Sequence, residues 1–410
     1  MANKQKIIFF NYTVPREDRT SGDRRLVGIL RILAKHHDVH LCISRFGEWL
    51  LSNEYQGYIE KLEKDKIKVL PIKENIANEV LSENNYDIGF FEFYWIAAEV
   101  LPIFHKYQPN AISIVDSVDV AFAREESEAE LGLIDKSKAQ QTKINELAVY
   151  QKADATIVVS DKDWDILNNI DGIGNIFLVP NIVPLFPRNT KKRKPKVVFI
   201  GCYLWPPNVD GVSWFVESIW PIIYEQNQKS EFLIIGSNPT KEIKEMSKLP
   251  GIKVLGFVED TKPYFDEAAV SVAPLRYGGG MKGKINEALA HGVPVVTTSI
   301  GANGFNAQNN VDMLIEDDPR KFAECVIRLI EDPKKQLEIG LSGQKLHKKI
   351  SSPDAVEKNI ASMFEKAEKI KIDKLKSQGM AFSLYARCRT VRNNINKFIR
   401  SKVRYNSYYV

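Results

Sequence analysis

A glycine-rich segment from Leu275 to Thr298 carries side chains that can bind a phosphate group. Its sequence is LRYGGGMKGKINEALAHGVPVVTT. The three consecutive glycines lack a Cβ and let backbone amides approach a ligand closely. Lys282 and Lys284 stand at the start of the helix that the following apolar spacing predicts, where unpaired N–H groups also favour an anion. Two lysines and a helix N-terminus hold more positive charge than one phosphate requires, so the segment predicts a bound diphosphate.

One side of the same helix carries a carboxylate. Lys284, Glu287 and His291 are spaced by three and four residues, which places them along one face. Glu287 lies about one turn into the helix, where its carboxylate can accept hydrogen bonds from neighbouring hydroxyls such as those of a ribose. A diphosphate beside a ribose indicates a nucleotide. The alternative is a glycine-rich loop before a solvated helix face on which Glu and Lys merely pair.

Short apolar strands alternate with amphipathic helices along the chain, a rhythm that is typical of parallel sheets. A proline-rich and then basic stretch, Pro180–Lys196, has no hydrophobic period and separates two series of strands. The first series is predicted at Lys6–Phe10, Val39–Ser44, Tyr86–Phe93, Ala111–Asp116, Ala155–Ser160 and Ile176–Val179. The second is predicted at Lys196–Gly201, Phe232–Gly236, Ile252–Phe257, Val270–Pro274, Val293–Thr297 and Asp312–Ile315. We expect two doubly wound α/β domains that face a cleft, with ligands at the carboxyl ends of the strands.

Length and composition agree with two domains. A chain of 410 residues exceeds what one core usually supports, and 44% apolar residues is ordinary for a globular protein. The first residues show no signal-peptide pattern, which predicts a cytoplasmic protein. Four scattered cysteines suggest neither a disulfide framework nor a zinc site. The most apolar stretch, Ile88–Phe104, is interrupted by Glu92, Glu99 and Pro102 and is shorter than the roughly 20 residues of a membrane span.

The basic charge is concentrated at the C-terminus. The net charge is +5, yet residues 374–410 hold nine Lys or Arg and no Asp or Glu. Apolar residues recur every three or four positions from Leu384 to Phe398, with arginines and lysines between them. Such a basic amphipathic helix is suited to an anionic membrane surface, with packing against the domains as the alternative. We expect no nucleic-acid partner, because no recognised nucleic-acid module precedes the tail.

Several motifs together resemble one family. In the second half of the chain they are VVFIGCYLWPPNVDGVSWFVESIWPII (Val197–Ile223), VLGFVED (Val254–Asp260), the glycine-rich segment and Gly301–Gly304. In the first half they are PREDRTSGDRRL (Pro15–Leu26), VDSVDVAFARE (Val115–Glu125) and Val179–Asn181. These motifs resemble the retaining, nucleotide-sugar-dependent glycosyltransferases of family 4, in the branch that carries GGGMKGK. The resemblance covers most of the chain and implies the GT-B architecture of two Rossmann-like domains.

The resemblance implies that the C-terminal domain binds the nucleotide sugar and the N-terminal domain binds the acceptor. Gly201, at the end of the first strand of the second domain, would permit close approach of the diphosphate. Phe257 and Val258 match the turn beside the nucleobase, with strand-end packing as the alternative. Glu287 matches the ribose-binding position. The phosphate and donor-sugar loop corresponds to Gly279, Gly280, Met281, Lys282 and Lys284.

The chain departs from the commonest pattern of that family at two points. The pattern places two Glu residues with seven others between them, and counting back from Glu287 puts Gly279 at the first position. The acid associated with donor-sugar contact is therefore missing. An arginine and lysine pair is also absent from Cys202–Gly211. The phosphate charge must then be met by other cations, and the candidates are Lys282, Lys284, Arg276, and Arg24 or Arg25 of the opposite wall.

The N-terminal domain supplies the remaining candidate residues. Asp116 and Asp119 follow a predicted strand, where they could orient acceptor or donor hydroxyls; a helix N-cap or turn is the alternative role. Ser21, Gly22 and Arg24 precede an apolar helical run and fit both a helix N-cap and an acceptor-side anion loop.

The resemblance also implies a reaction. The bond between the anomeric carbon of the sugar and the nucleoside diphosphate breaks, while Lys282 and Lys284 stabilise negative charge on the leaving phosphate. Same-face attack assisted by that phosphate retains the configuration and requires no protein nucleophile. Asp116 and Asp119 complete the residues predicted to act in catalysis. The nucleotide sugar is a co-substrate, and no metal or other cofactor is expected.

We therefore predict four segments and one function. Residues 1–188 form the acceptor domain, 189–350 the nucleotide-sugar domain, 351–373 a crossover helix and 374–410 the basic tail. The function is transfer of a sugar from a nucleoside-diphosphate sugar to a saccharide or lipid-linked acceptor in surface glycan synthesis, at the cytoplasmic face of the membrane. One rival is a non-catalytic GT-B subunit that binds glycan or a partner protein, suggested by Gly279. Another is an enzyme that isomerises a nucleotide sugar.

Overall fold

Two parallel sheets organise the protein. The computed structural model describes residues 4–45, 47, 50, 52–187 and 193–377. The strands of the N-terminal domain are β1 (Lys6–Asn11), β2 (Asp38–Ile43), β3 (Ile67–Val69), β4 (Ile88–Glu92), β5 (Ile112–Asp116), β6 (Ala155–Val158) and β7 (Ile176–Leu178). Those of the C-terminal domain are β8 (Lys194–Ile200), β9 (Glu231–Ile235), β10 (Ile252–Gly256), β11 (Ala268–Ala273), β12 (Val295–Thr297) and β13 (Leu314–Ile315).

The strand order in each sheet is that of a doubly wound fold. The first sheet runs β3-β2-β1-β4-β5-β6-β7 and the second β10-β9-β8-β11-β12-β13. The order reverses beside β1 in the first sheet and beside β8 in the second. Ligands bind at such switch points, beyond the carboxyl ends of the strands. The predicted fold class is thereby confirmed, and the carboxyl edges of β1 and β8 are where a site is expected.

Helices cover both faces of each sheet. In the N-terminal domain they are α1 (Ser21–Ala34), α2 (Asn53–Lys64), α3 (Ile76–Glu83), α4 (Tyr94–Tyr107), α5 (Ala121–Glu130), α6 (Lys136–Tyr150) and α7 (Asp161–Asn168). In the C-terminal domain they are α8 (Pro206–Trp214), α9 (Trp220–Gln226), α10 (Lys241–Glu245), α11 (Lys262–Glu267), α12 (Gly283–Ala290), α13 (Ser299–Ala302), α14 (Pro319–Glu331) and α15 (Pro333–Ile350). The helix α16 (Pro353–Ser377) follows. A π-helical turn, Phe215–Ile219, joins α8 to α9.

Several strands are buried along their whole length because both faces of each sheet are covered. Every residue of β4 is buried, and so is every residue of β5 and of β11. On one face of the first sheet Phe9 stacks on Phe90 with ring centroids 4.3 Å apart. On the other face Phe10 stacks on Phe91 at 5.3 Å. This packing fixes the strand ends, and hence the loops at the carboxyl edge.

The chain passes between the domains twice. After β7 the chain continues to β8, and in this connection the side-chain amide of Asn181 donates to the carbonyl oxygen of Met281 at 2.9 Å. After α15 the helix α16 returns to the first domain, where Val356, Ile360 and Met363 join the apolar core that contains β1 and α1. The predicted crossover, residues 351–373, overlaps this helix.

The start of the predicted basic tail lies on the first domain. Lys374, inside α16, donates to the carboxylate of Asp154 at 2.8 Å and to the carbonyl oxygen of Ala111 at 3.1 Å. Lys371 contacts Asp87 at 3.0 Å in the same way. Residues 378–410, which hold the whole predicted amphipathic helix, lie outside the described residues. Within the described part of the chain, no helix is long and apolar enough to cross a membrane.

Candidate functional site

The glycine run lies in the loop between β11 and α12, against the opposite domain. Gly278 and Gly280 have φ values of 131° and 61°, which residues with a Cβ rarely adopt. A Cβ at Gly279 would lie 3.3 Å from Oδ2 of Asp119, which follows β5 in the first domain. The glycines therefore let this loop approach the N-terminal domain closely.

Lys282 folds back into its own loop. It is the residue before the first turn of α12 and is 8% exposed. Its ammonium group donates to the carbonyl oxygens of Gly279 and Gly280 at 2.9 and 2.7 Å. Burial lowers the pKa of Lys282 to about 8, against the opposing effect of the Asp163 and Asp119 carboxylates. Lys282 thus fixes the loop conformation and adds positive charge beneath it.

Lys284 lies in the first turn of α12 and faces the end of β8. Its ammonium group donates to Oδ1 of Asn208 at 2.6 Å and lies 5.0 Å from the ring centre of Phe199. Burial, and then the charge of Lys282, lower its pKa to about 7. Among the described residues, no carboxylate forms an ion pair with either lysine. Two cationic groups at a helix N-terminus therefore have neutral hydrogen-bond partners and a net positive field.

Glycines at two neighbouring strand ends leave backbone exposed beside Lys284. Gly201 follows β8, and a Cβ there would lie 2.9 Å from Nδ2 of Asn208. Gly236 follows β9 with φ 146°, and a Cβ there would lie 1.6 Å from the carbonyl oxygen of Gly201. Larger residues do not fit at either position. The glycine at position 201 thus has a steric reason in the neighbouring Asn208, and the close approach of a diphosphate there stays a prediction.

Glu287 lies one turn beyond Lys284 on α12, and arginines of the first domain contact both Glu287 and Phe257. Glu287 is half-buried; its carboxylate accepts from Oγ1 of Thr261 at 2.6 Å and lies 3.6 Å from Nη1 of Arg24. Phe257, which is 40% exposed, lies under the guanidinium of Arg19 at 4.6 Å. The predicted ribose and nucleobase positions are therefore covered by two cations. Val258, beside Phe257, packs against the core that contains α12.

The helix N-termini of α1 and α12 meet across the cleft. Thr20, rather than Ser21, caps α1, because its Oγ1 accepts the backbone N–H of Asp23 at 3.0 Å. Ser21 is the first helical residue, and its Cβ lies 2.5 Å from where a Cβ of Gly283 would be. At Gly22, the next residue, an added Cβ would lie 3.8 Å from Oγ1 of Thr20. Two positive helix ends therefore converge on the space beside Lys284.

The two candidate aspartates after β5 have different environments. Asp119 faces the cleft opposite Gly279, is bonded to Nε of Arg124 at 2.8 Å and keeps 18% of its side chain exposed. Asp116 is 3% exposed, and its carboxylate accepts from Nη1 of Arg25 at 2.6 Å. Arg25 is 1% exposed and also donates to the carbonyl oxygen of Val179. Both side chains of this ion pair are buried, so neither Asp116 nor Arg25 lies at the cleft surface.

Two further residues of the predicted site, Arg276 and Met281, have partners within the protein. Arg276 forms a bidentate ion pair with Asp210 of α8 and is 46% exposed on its side chain. Met281 is buried, and its carbonyl oxygen receives the amide of Asn181. Lys284 and Arg24 are thus the predicted cations that lie in the cleft, while Arg276 lies at its rim.

Sequence reasoning missed three contributors, namely Asn208, Asp163 and Thr261. Asn208 is 6% exposed and holds Lys284. Asp163 lies near Lys282, and burial raises its pKa to about 6. Asn208 and Asp163 occupy the first turns of α8 and α7, directly after strands that end at the cleft, and that position is the signal that could have identified them.

The domain that carries the lysines is similar to a known protein family. Residues 194–332 match the family described as Glycosyl transferases group 1. The match spans 139 of the 410 residues and lies within the C-terminal domain. The match begins with β8 and ends after α14, so it contains Gly201, Phe257, the glycine loop and Glu287. A curated relative, the uncharacterized 44.6 kDa protein in the cps region of Klebsiella pneumoniae, is 24% identical over 139 residues. That alignment covers 32% of this chain and 36% of the relative's length.

Solved structures share the two-domain fold. Anabaena HepE in complex with UDP-glucose superposes with a TM-score of 0.67 at 14% identity, over 88% of this chain and 100% of that one. Staphylococcus aureus TarM, in complex with fondaparinux, alpha-GlcNAc-glycerol and UDP, superposes with a TM-score of 0.58 at 17% identity. That alignment covers 70% of this chain and 58% of TarM. The protein thus has the GT-B fold, and residues 194–332, which match the group 1 family, lie in its C-terminal domain.

Proposed function

We propose that this protein is a glycosyltransferase that moves a sugar from a nucleoside-diphosphate sugar to a saccharide or lipid-linked acceptor. The observation that carries the proposal is the pair of lysines at the N-terminus of α12. Their partners in the described chain are an amide oxygen and backbone carbonyl oxygens, and the N-terminus of α1 faces them. A diphosphate would supply the negative charge that this arrangement lacks.

The proposed diphosphate position determines where the rest of the donor nucleotide would bind. With the diphosphate at Lys284 and the N-terminus of α12, the ribose hydroxyls reach Glu287, and the base lies against Phe257 and Val258. Arg24 would leave Glu287 and turn to the phosphates, because a diphosphate offers more negative charge than one carboxylate. Arg276, at the rim, is the remaining candidate for a phosphate contact.

The reaction needs few protein groups. The electron pair of the bond from the anomeric carbon to the phosphate oxygen goes to the diphosphate, where Lys284 and the helix amides stabilise it. An acceptor hydroxyl oxygen bonds to the same face of that carbon and passes its proton to the leaving phosphate, so the configuration is retained. Lys282 acts by holding the loop, and the proposed role of Asp119 is to orient hydroxyls of the acceptor or of the donor sugar. Asp116 positions the loop that carries Asp119. The proposed mechanism uses no metal ion and no other cofactor.

The proposed biological role is surface glycan synthesis by a member of the retaining family 4. The Klebsiella relative is a protein of a cps region, and the HepE and TarM structures contain bound UDP-glucose and UDP, respectively. For this chain we propose the cytoplasmic face of the membrane as the location, because a lipid-linked acceptor would be presented there.

Residues 378–410 are the proposed membrane-binding segment. Deleting them is expected to release the protein from vesicles that contain anionic lipid, while UDP binding stays unchanged. Each basic residue near such a surface contributes about 1 kcal/mol, so the seven removed here would carry most of the attraction. Sedimentation with phosphatidylglycerol vesicles measures this, and neutral phosphatidylcholine vesicles are the control. Equal sedimentation of the shortened and full chains would exclude the segment as the anchor.

The donor can be identified with the purified protein. A panel of UDP, GDP, dTDP and ADP sugars is tested by thermal shift, because a ligand that binds only the folded state raises its stability. We expect one nucleotide class to raise the Tm and slow hydrolysis of that donor in the absence of acceptor. Nucleotide binding with neither hydrolysis nor transfer would favour a non-catalytic subunit, and conversion of the donor sugar to an isomer would favour an isomerising enzyme.

A further inference from the structure

We propose that the carboxyl edge of the N-terminal sheet holds a subsite for the sugar ring of a saccharide acceptor, formed by Tyr12, Glu92, Phe93 and Trp95. The inference rests on the proposed function and names where its acceptor binds. The strands β1 and β4 are neighbours, and Phe10 pairs with Phe91 in their register. The residues that follow the two strands therefore lie side by side at the switch point of the sheet.

Three aromatic side chains cluster at this edge instead of inside the core. Phe93 stacks on Trp95 with ring centroids 5.4 Å apart and planes 12° from parallel. Tyr12 contacts both rings, at 6.0 and 5.4 Å, and is 37% exposed. A sugar ring has one face of C–H groups, which packs on an exposed aromatic ring, and a rim of hydroxyls that require polar partners. Tyr12 supplies such a ring, and this ring packs against those of Phe93 and Trp95.

Glu92 supplies a polar group beside the aromatic cluster. It is the last residue of β4 and is 4% exposed, and its Oε2 has no hydrogen-bond partner in the described chain. Burial raises the pKa of Glu92 well above its usual range, and the nearby carboxylates of Asp116 and Asp23 raise it further. A protonated carboxyl can both donate and accept, as a hydroxyl does. A buried polar atom without a partner is unusual in a folded protein, and a ligand hydroxyl would satisfy it.

Backbone strain marks the same edge. Phe93 has a φ of 67°, and Val118, in the loop after the neighbouring strand β5, has a φ of 60°. Bulky and β-branched residues rarely adopt this conformation. Such strain persists where the surroundings hold a residue in place, and it concentrates at ligand sites. Here it turns Phe93 toward Tyr12 directly after Glu92.

The subsite adjoins the proposed donor cleft. Asp23 and Glu92 both lie near enough to Tyr12 to raise the pKa of its hydroxyl, after the larger effect of burial. Asp23 is followed by Arg24, which reaches Glu287 of the opposite domain at 3.6 Å. A sugar ring on Tyr12 would therefore lie on the N-terminal wall of the cleft that receives the donor.

The first test measures saccharide binding directly. Methyl glycosides of glucose, galactose, mannose and N-acetylglucosamine serve as probes in saturation-transfer NMR, with UDP present. We expect the parent protein to bind at least one of them, and Tyr12→Ala to abolish that signal. Tyr107→Ala is the matched control, because Tyr107 packs on the same domain at the far end of α4. No binding by the parent, or equal binding by Tyr12→Ala, would overturn the subsite.

A second variant separates ligand binding from a structural role. Glu92→Met removes a buried polar atom without a partner, so we expect the Tm to rise by about 2 °C while glycoside binding is lost. A lower Tm would show that Glu92 supports the fold, and retained glycoside binding would remove it from the subsite. Glycoside binding by a parent that fails to bind UDP would contradict the donor assignment and leave the subsite supported.

Discussion

Replacing Lys284 by alanine should weaken binding of the nucleoside diphosphate by about 100-fold, while binding of the nucleoside alone changes by less than about threefold. The ammonium group is held by Asn208 Oδ1 at 2.6 Å with no carboxylate partner in the described chain. It can therefore give its full charge-assisted hydrogen bond to a phosphate. Calorimetric titration of UDP and uridine, or of the pair selected by the donor panel, measures both constants.

The control for this variant is another lysine of the same domain. Lys345→Ala removes one positive charge from the exposed surface of α15 and should leave both constants unchanged. Equal weakening of nucleoside and nucleoside diphosphate by Lys284→Ala would contradict the phosphate role, because a lost phosphate contact cannot affect a ligand without phosphates.

The pKa of Lys284 gives the same interaction a pH dependence. Burial lowers that pKa to about 7 in the free protein, and a bound diphosphate must raise it. Binding therefore takes up a proton wherever the free amine is unprotonated. The affinity should be highest below about pH 7 and fall as the pH rises through the free-state pKa, and Lys284→Ala should lose this part of the dependence.

Replacing Arg25 by methionine should destabilise the protein by about 3–5 kcal/mol, the cost of leaving a buried charge without its partner. The Asp116 carboxylate, 5% exposed, would lose its 2.6 Å bond, and the carbonyl oxygen of Val179 would lose two donors. The three groups join α1, β5 and the segment between the domains. Unfolding in urea, followed by circular dichroism, measures the effect.

Two further variants show whether the pair is structural. Arg25→Met combined with Asp116→Leu should recover much of the lost stability, because no buried charge then lacks a partner. Lys35→Ala breaks an exposed pair with Glu357, 2.7 Å apart, and should cost less than about 1 kcal/mol. If Arg25→Met left unfolding unchanged while Asp116→Asn abolished only sugar transfer, Asp116 would contact substrate, as the sequence had suggested.

Most of the fold could be predicted from sequence, because strands covered on both faces are visible as apolar runs. Twelve of the thirteen strands in the described residues overlap a predicted strand. The exception is β3, Ile67–Val69, which has three residues at the edge of its sheet, one of them exposed. A strand so short and only partly covered has too little apolar sequence to show a pattern.

The candidate site could be predicted only in part. The glycine loop, Lys284 and Glu287 are close in sequence, and helical spacing places the last two on one side of α12. Arg24 and Arg25 are adjacent and equally basic, yet one reaches Glu287 and the other is buried on Asp116. The two arginines differ because they lie on different faces of α1, and the buried face includes Arg25 together with Ile29 and Ile32.

The sequence by itself determined the two-domain architecture and the glycine-rich, cationic character of the loop before α12. Both follow from local patterns. The spacing of apolar residues predicts the helices and strands, and the glycines and lysines before a helix N-terminus predict an anion site. Only the tertiary structure decided which groups meet across the cleft. The packing of whole strands and domains places Asp119 opposite Gly279 and Tyr12 against Phe93 and Trp95. Contacts between residues so distant in the chain depend on that packing, which no local pattern encodes.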